Sequence, residues 1–121
     1  MNRARFPTLL AIALALGLSA CAPSLVASPV RAGETVTITL TATADAYAVT
    51  LSVLNAETSD DRCITLATTD LGCVIGDLDA GTVTTVTVTG VPGAVDCRAF
   101  HYTRADLNLT SYRTTACRTG D

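Results

Sequence analysis

Glu34-Thr35-Val36-Thr37-Ile38-Thr39-Leu40-Thr41 is the stretch on which the fold turns. Apolar side chains fall on every second position and threonine fills the positions between. A period of two is the signature of an extended strand with one buried and one wetted face. Threonine suits the wetted face because its β-branched side chain fits a pleated surface and keeps it soluble without charge. The same alternation recurs at Tyr47, Val49, Leu51 and Val53, and again at Val86 and Val88 between Thr85, Thr87 and Thr89. Val83 is out of phase with Val86 and Val88, so a bulge or a late strand start is expected near Thr84-Thr85.

Further strands are expected over residues 63–68, 72–75, 96–104 and 109–117. The segments between them are rich in turn-forming residues: 43–45, 55–61, Gly76 to Gly81, Gly90 to Gly93 and 106–108. About seven short strands and no amphipathic helix predict an all-β domain, a small β-sandwich, with a closed barrel as the alternative. Aromatic residues make up only 4% of the chain, so the core must be built from Val, Ile, Leu and Ala. Val36, Ile38, Val49, Leu51, Val86 and Val88 are its expected members.

The residues ahead of this domain read differently. Arg3 and Arg5 precede an apolar run from Leu9 to Leu18. As a helix those ten residues rise about 15 Å, half of the roughly 30 Å hydrocarbon core of a bilayer. That fits the apolar region of an export signal, not a membrane span. Leu18-Ser19-Ala20-Cys21 follows and resembles the lipobox of bacterial lipoproteins. The resemblance implies a signal peptide over residues 1–20, cleavage before Cys21, and lipidation of the Cys21 thiol by a diacylglyceryl group with palmitate-type chains. The protein is then exported and held by lipid on the cell membrane or outer membrane, facing periplasm or cell surface. Residues 22–33 are rich in Ala, Pro, Ser and Val, a linker composition. Residues 21–33 are thus expected to be a flexible tether reaching roughly 40 Å, and 34–121 the folded domain.

Four cysteines remain: Cys63, Cys73, Cys97 and Cys117. An even count in an exported chain predicts two disulfides with three possible connectivities. Hairpin geometry favours one. Cys97 and Cys117 each lie ten residues from Leu107, and Cys63 and Cys73 flank a turn near Thr68. Each bridge would close its own hairpin, contributing about 3 kcal/mol in the chain-entropy account. The spacings contain no Cys-x-x-Cys and His101 is the single histidine, which argues against a zinc site.

Cys63, Cys73, Gly76, Leu78, Ala80, Gly81, Val86 and Val88 form a cysteine-pair, Gly-x-Leu-x-Ala-Gly, Val-x-Val pattern. Residues 33–90 therefore resemble the conserved-repeat Ig-like domains of bacterial surface proteins, which implies an Ig-like sandwich acting as a spacer, stalk or adhesive module without catalytic residues. The Cys97–Cys117 hairpin departs from that pattern.

The chain carries 8 basic residues, all Arg, and 11 acids, for a net charge of -3. Such a balance excludes nucleic-acid binding by phosphate neutralisation. Asp60, Asp61, Asp70, Asp77 and Asp79 cluster in turns, and Asp77-x-Asp79-x-Gly81 matches half of a calcium loop but lacks the later bidentate acid. They are read as solvated turn residues, so no metal and no cofactor is expected. No set of residues combines nucleophile, base and oxyanion donor, so the chain is not expected to be an enzyme. If the last hairpin pairs Cys97 with Cys117, Cys97, Ala99, His101 and Thr103 share one face, with Phe100, Tyr102 and Tyr112 on the other. The aromatics are expected in the core, with His101 near Arg113 in solvent. Arg98, Arg104, Arg113 and Arg118 form a basic end that could bind an anionic partner. The expected partners are the membrane, through its lipid anchor, and an envelope protein or polysaccharide. The leading function is a lipid-anchored interaction, adhesive or spacer module; the alternative is a small exported inhibitor or ligand-binding lipoprotein of the periplasm.

Overall fold

The computed structural model describes residues 23–106 and 112–120. The expected signal segment, Cys21 and the expected start of the last strand at Leu109 lie outside them. The described residues form nine strands: β1 (Leu25–Ala32), β2 (Thr35–Ala42), β3 (Ala46–Leu54), β4 (Ala56–Glu57), β5 (Cys63–Ala67), β6 (Asp70–Leu78), β7 (Val83–Gly90), β8 (Val95–Tyr102) and β9 (Arg113–Thr119). A short 3₁₀ turn, Arg104–Asp106, follows β8. Two antiparallel sheets result: sheet I in the order β1-β2-β7-β4, and sheet II in the order β5-β6-β3-β8-β9.

The inner faces follow from the alternation. Val36, Ile38 and Leu40 of β2 and Val86 and Val88 of β7 meet Val49, Leu51 and Val53 of β3, Leu71 of β6 and Val95 of β8, all buried. The hydrophobic core is built from aliphatic side chains together with Cys73 and Cys97. On the outer face of sheet I the threonines pair directly: Thr35 with Thr89, Thr37 with Thr87, Thr39 with Thr85. Both disulfides, Cys63–Cys73 and Cys97–Cys117, join residues opposite one another in the β5–β6 and β8–β9 ladders.

Four expectations need correction. Residues 25–32, expected within the tether, form β1, paired with β2 from Leu25↔Ala42 to Ala32↔Thr35. Pro29 obscured it in the sequence, yet proline is tolerated on an edge strand, and β1 is one. With the two-residue β4, this raises seven strands to nine. Arg31, within the expected tether, ties the far end together: Nε donates to Gly33 O (2.9 Å) and Nη1 to Gly93 O (2.7 Å) and Gly120 O (3.1 Å).

The expected irregularity near Thr84-Thr85 is absent. The β2–β7 register runs unbroken from Thr41↔Val83 to Thr35↔Thr89, and Val83 simply sits among the outward threonines. The break in register falls in β3 instead, where Ala48 adopts φ 52° and its N–H donates to Asp77 Oδ1 at 2.8 Å. This bulge turns Tyr47 to the face opposite Val49, so the expected Tyr47-Val49-Leu51-Val53 face is interrupted at its first member. Asp77 accordingly lies within β6 and holds a bulge; it is not part of a free turn.

The fourth correction concerns β8. Cys97, Ala99 and His101 do share a face, but it is the inner one, and His101 is only 1% exposed. Its Nε2 is hydrogen-bonded to Ser24 Oγ at 3.1 Å, just ahead of β1. Phe100, Tyr102 and Tyr112 lie on the outer face, with 52% of Tyr112 exposed. Asp96 and Arg98 share the parity of Phe100 and Tyr102, and two charges outrank two aromatics in choosing the wet face.

His101→Ala should therefore cost about 2–4 kcal/mol in urea denaturation, through the cavity and the lost hydrogen bond. An unchanged unfolding midpoint would mean that the ring is in solvent, as the sequence alone suggested.

Candidate interaction surface

The outer face of sheet II is laid out by register. Along β3 it presents Thr50, Ser52 and Leu54. Thr50 lies between Val74 and Phe100, Ser52 between Gly72 and Arg98, and Leu54 between Asp70 and Asp96. On β9, Thr114 stands opposite Phe100, Ala116 opposite Arg98, and Arg118 opposite Asp96. Small side chains thus run down the middle, with larger ones on both sides.

One wall comes from β5 and β6. Ile64 stands opposite Gly72, and the register slips between Thr65 and Ala67. At that slip Leu66 folds across Gly72, so closely that a Cβ there would meet Leu66 Cδ1 at 2.9 Å. Any residue larger than glycine at position 72 would displace Leu66. Ile64, Leu66 and Val74 are 64%, 64% and 68% exposed, a continuous apolar ridge. The hollow between this ridge and Phe100 has a volume of about 310 Å³ and is floored by Thr50 and Ser52. A second hollow of about 700 Å³ continues beyond Ser52, between Leu54, Phe100, Arg98, Ala116 and Arg118.

Arg62 closes the rim. It forms a two-pronged pair with Asp60 (Nη2–Oδ2 2.7 Å, Nε–Oδ1 3.0 Å) and reaches sheet I, donating to Thr84 Oγ1 at 3.1 Å and Thr85 O at 2.6 Å. The loop between β4 and β5 is thereby clamped across the two sheets. Hydrogen bonds from the Arg62 side chain and backbone N–H lower the Asp60 pKa to about 2, against the opposing effect of burial and with a lesser contribution from the Arg62 charge. Asp60 raises the pKa of Arg62 in turn.

The aromatic side chains stand at the other end of the face. Tyr47 lies opposite Tyr102 in the ladder. Tyr112 meets Phe100 edge-on at 5.2 Å and Tyr102 at 6.2 Å between ring centres. Arg104 Nη2 donates to Tyr47 Oη at 3.1 Å. The four arginines of the expected basic end are therefore spread out. Arg98 and Arg118 edge the larger hollow, with Arg118 3.4 Å from Asp96; Arg104 joins the aromatics; Arg113 stands opposite His101 at the strand edge.

The turn aspartates are separated as well. Asp60 holds Arg62, Asp77 holds Ala48 N–H, and Asp79 lies in the β6–β7 turn. Among the described residues, no three His, Cys, Asp or Glu side chains are placed to hold a metal ion. The apolar ridge was missed in the sequence because residues 63–68 were read only as a strand, although Ile64 and Leu66 on one parity, against Cys63 and Thr65, carried the signal.

Site and fold together define a disulfide-bonded, two-sheet all-β domain whose sheet II carries an apolar ridge on an otherwise polar outer face. No family model, curated protein or solved structure matches the chain.

The Asp60–Arg62 clamp sets a pH dependence. A carboxyl held below its unfolded value contributes stability fully above that value and loses it as the pH falls through the folded one. The stability difference between wild type and Asp60→Asn should therefore be present at neutral pH and disappear between about pH 4 and pH 2, followed by thermal melts. A difference independent of pH would show that the pair does not hold the loop.

Proposed function

We propose that the protein is a lipid-anchored, non-enzymatic module of the cell envelope that engages its partner through the outer face of sheet II. The observation that carries this reading is the asymmetry of the two outer faces. Sheet I displays paired threonines, with Val26, Val30 and Val83 exposed singly; sheet II displays the contiguous ridge of Ile64, Leu66 and Val74, the groove along Thr50 and Ser52, and exposed Leu54 and Tyr112. Scattered exposed apolar side chains are ordinary on a soluble surface, whereas a contiguous apolar patch rimmed by polar groups marks an interaction site. Arginine beside it, as at Arg98 and Arg118, is enriched in protein interfaces.

The anchor rests on Leu18-Ser19-Ala20-Cys21, and the two disulfides support an oxidising compartment. The Ig-like reading draws support from strand order. An Ig constant domain places strands A-B-E-D against C-F-G; β1-β2-β7-β4 against β3-β8-β9 has the same arrangement, with the β5–β6 hairpin added beside β3. Both disulfides lie within hairpins of sheet II, whereas antibody domains bridge the two sheets. Partner capture accounts for the groove and the ridge, which a pure spacer would not require. An inhibitor would use the same surface.

Site-specific photo-crosslinking in living cells tests the reading. A photoreactive residue at Thr50, on the groove floor, should give a discrete envelope adduct; one at Thr87, on the threonine face, should not. Equal labelling from both positions, or none from Thr50, would contradict it.

A further inference from the structure

After the signal segment the chain contains four aromatic residues, Tyr47, Phe100, Tyr102 and Tyr112. None enters the buried core. Instead all four lie on the outer face of sheet II, at the end where β1 begins. Ser24, one residue ahead of β1, is bonded to His101, which lies in the chain between Phe100 and Tyr102. Thr115 Oγ1 donates to Leu25 O at 3.1 Å, which holds the start of β1 against β9. Thr43 Oγ1 donates to Pro23 O at 2.8 Å. The chain is therefore pinned from Pro23 onward, beside the aromatic cluster.

This pinning changes what an anchor at Cys21 would do. A tether of residues 21–33 would hold the domain up to roughly 40 Å from the membrane. With the chain pinned from Pro23, only the two peptide links from Cys21 to Pro23 remain, a reach of about 7 Å at full extension. The end of the sandwich bearing the aromatics must then lie against the lipid. Tyrosine is enriched at the headgroup level of membranes, where its ring meets apolar matter and its hydroxyl meets water. Arg104 bonded to Tyr47 adds a hydrogen-bond donor at that depth. Asp45, Asp77 and Asp79 stand at the same end with Arg104 and Arg113, so the charges give no attraction to anionic lipid.

We infer that the Tyr47–Phe100–Tyr102–Tyr112 cluster seats the domain in the headgroup layer of the bilayer that holds Cys21, leaving the far end of the groove, at Leu54, Arg98 and Arg118, open to a partner. The inference rests on the proposed acylation of Cys21.

The chain has three tyrosines, all in the cluster, and no tryptophan, so its intrinsic emission reports on this surface alone. The test takes the full chain processed in a bacterial envelope and reconstitutes it in phosphatidylcholine vesicles containing a headgroup nitroxide lipid. Loss of tyrosine emission that added salt does not reverse is expected. In the Phe100→Ser/Tyr112→Ser variant, the remaining Tyr47 and Tyr102 should recover their emission while the protein still floats with the vesicles. Mass spectrometry of the N-terminal peptide separates the two premises. An acylated Cys21 with unquenched tyrosines, or quenching equal in the variant, overturns the seating and leaves the anchor standing; an unmodified Cys21 overturns both.

Discussion

The antiparallel pairing of β1 with β2 is the contact on which the rest of the molecule depends. It places Leu25 in the core and brings Ser24 to His101 and Thr115 to the Leu25 carbonyl, so that the edge of sheet I lies against β9 of sheet II. At its other end it delivers Arg31 to three carbonyls from separate segments. An eight-residue strand made mostly of Ala, Ser, Pro and Val offers little apolar area. What stabilises β1 is its backbone ladder and the burial of Leu25, with Ala27 packed partly against the core.

The sheets differ in what they ask of their outer faces. Sheet I needs only solubility, and threonine supplies it without charge. Sheet II carries both disulfides, the bulged β3, the slipped β5 and every aromatic side chain of the domain. Irregular backbone and exposed apolar side chains thus coincide on one face. The slip at Leu66 and the glycine beneath it are a local departure from regular pairing that produces a shaped hollow, as bulges near binding sites commonly do. The cross-linked hairpins hold that hollow's walls in place while the aliphatic core behind it contributes the stability.

Much of this was legible in the sequence. Alternation in β2, in β3 from Val49 onward and in β7 from Thr84 onward identified the buried faces and the core, because each side chain there obeys one rule at a time, while the choice between sandwich and barrel needed the strand order. Cysteine spacing identified the two hairpin bridges, since symmetric distances from a turn translate directly into cross-strand register. Failures came where two rules competed. Pro29 argued for a tether while edge pairing accepted it. The aromatics of β8 argued for burial while Asp96 and Arg98, on the same parity, argued for solvent; the charges prevailed, and Cys97, Ala99 and His101 went inside. Ala48 gave no sign of its bulge, because the Asp77 carboxylate that receives its N–H comes from a strand 29 residues away. The groove itself depends on register between four strands, which no local pattern encodes.

Amide hydrogen exchange across residues 25–32 tests the central claim most directly. If β1 is an integral strand, its amides bonded to β2 exchange only with opening of the domain, at rates comparable to those of β2 and β7. Exchange at the rate of an unstructured peptide would show that the segment is a tether, and the contact of β1 with β9 and the burial of His101 would fall together.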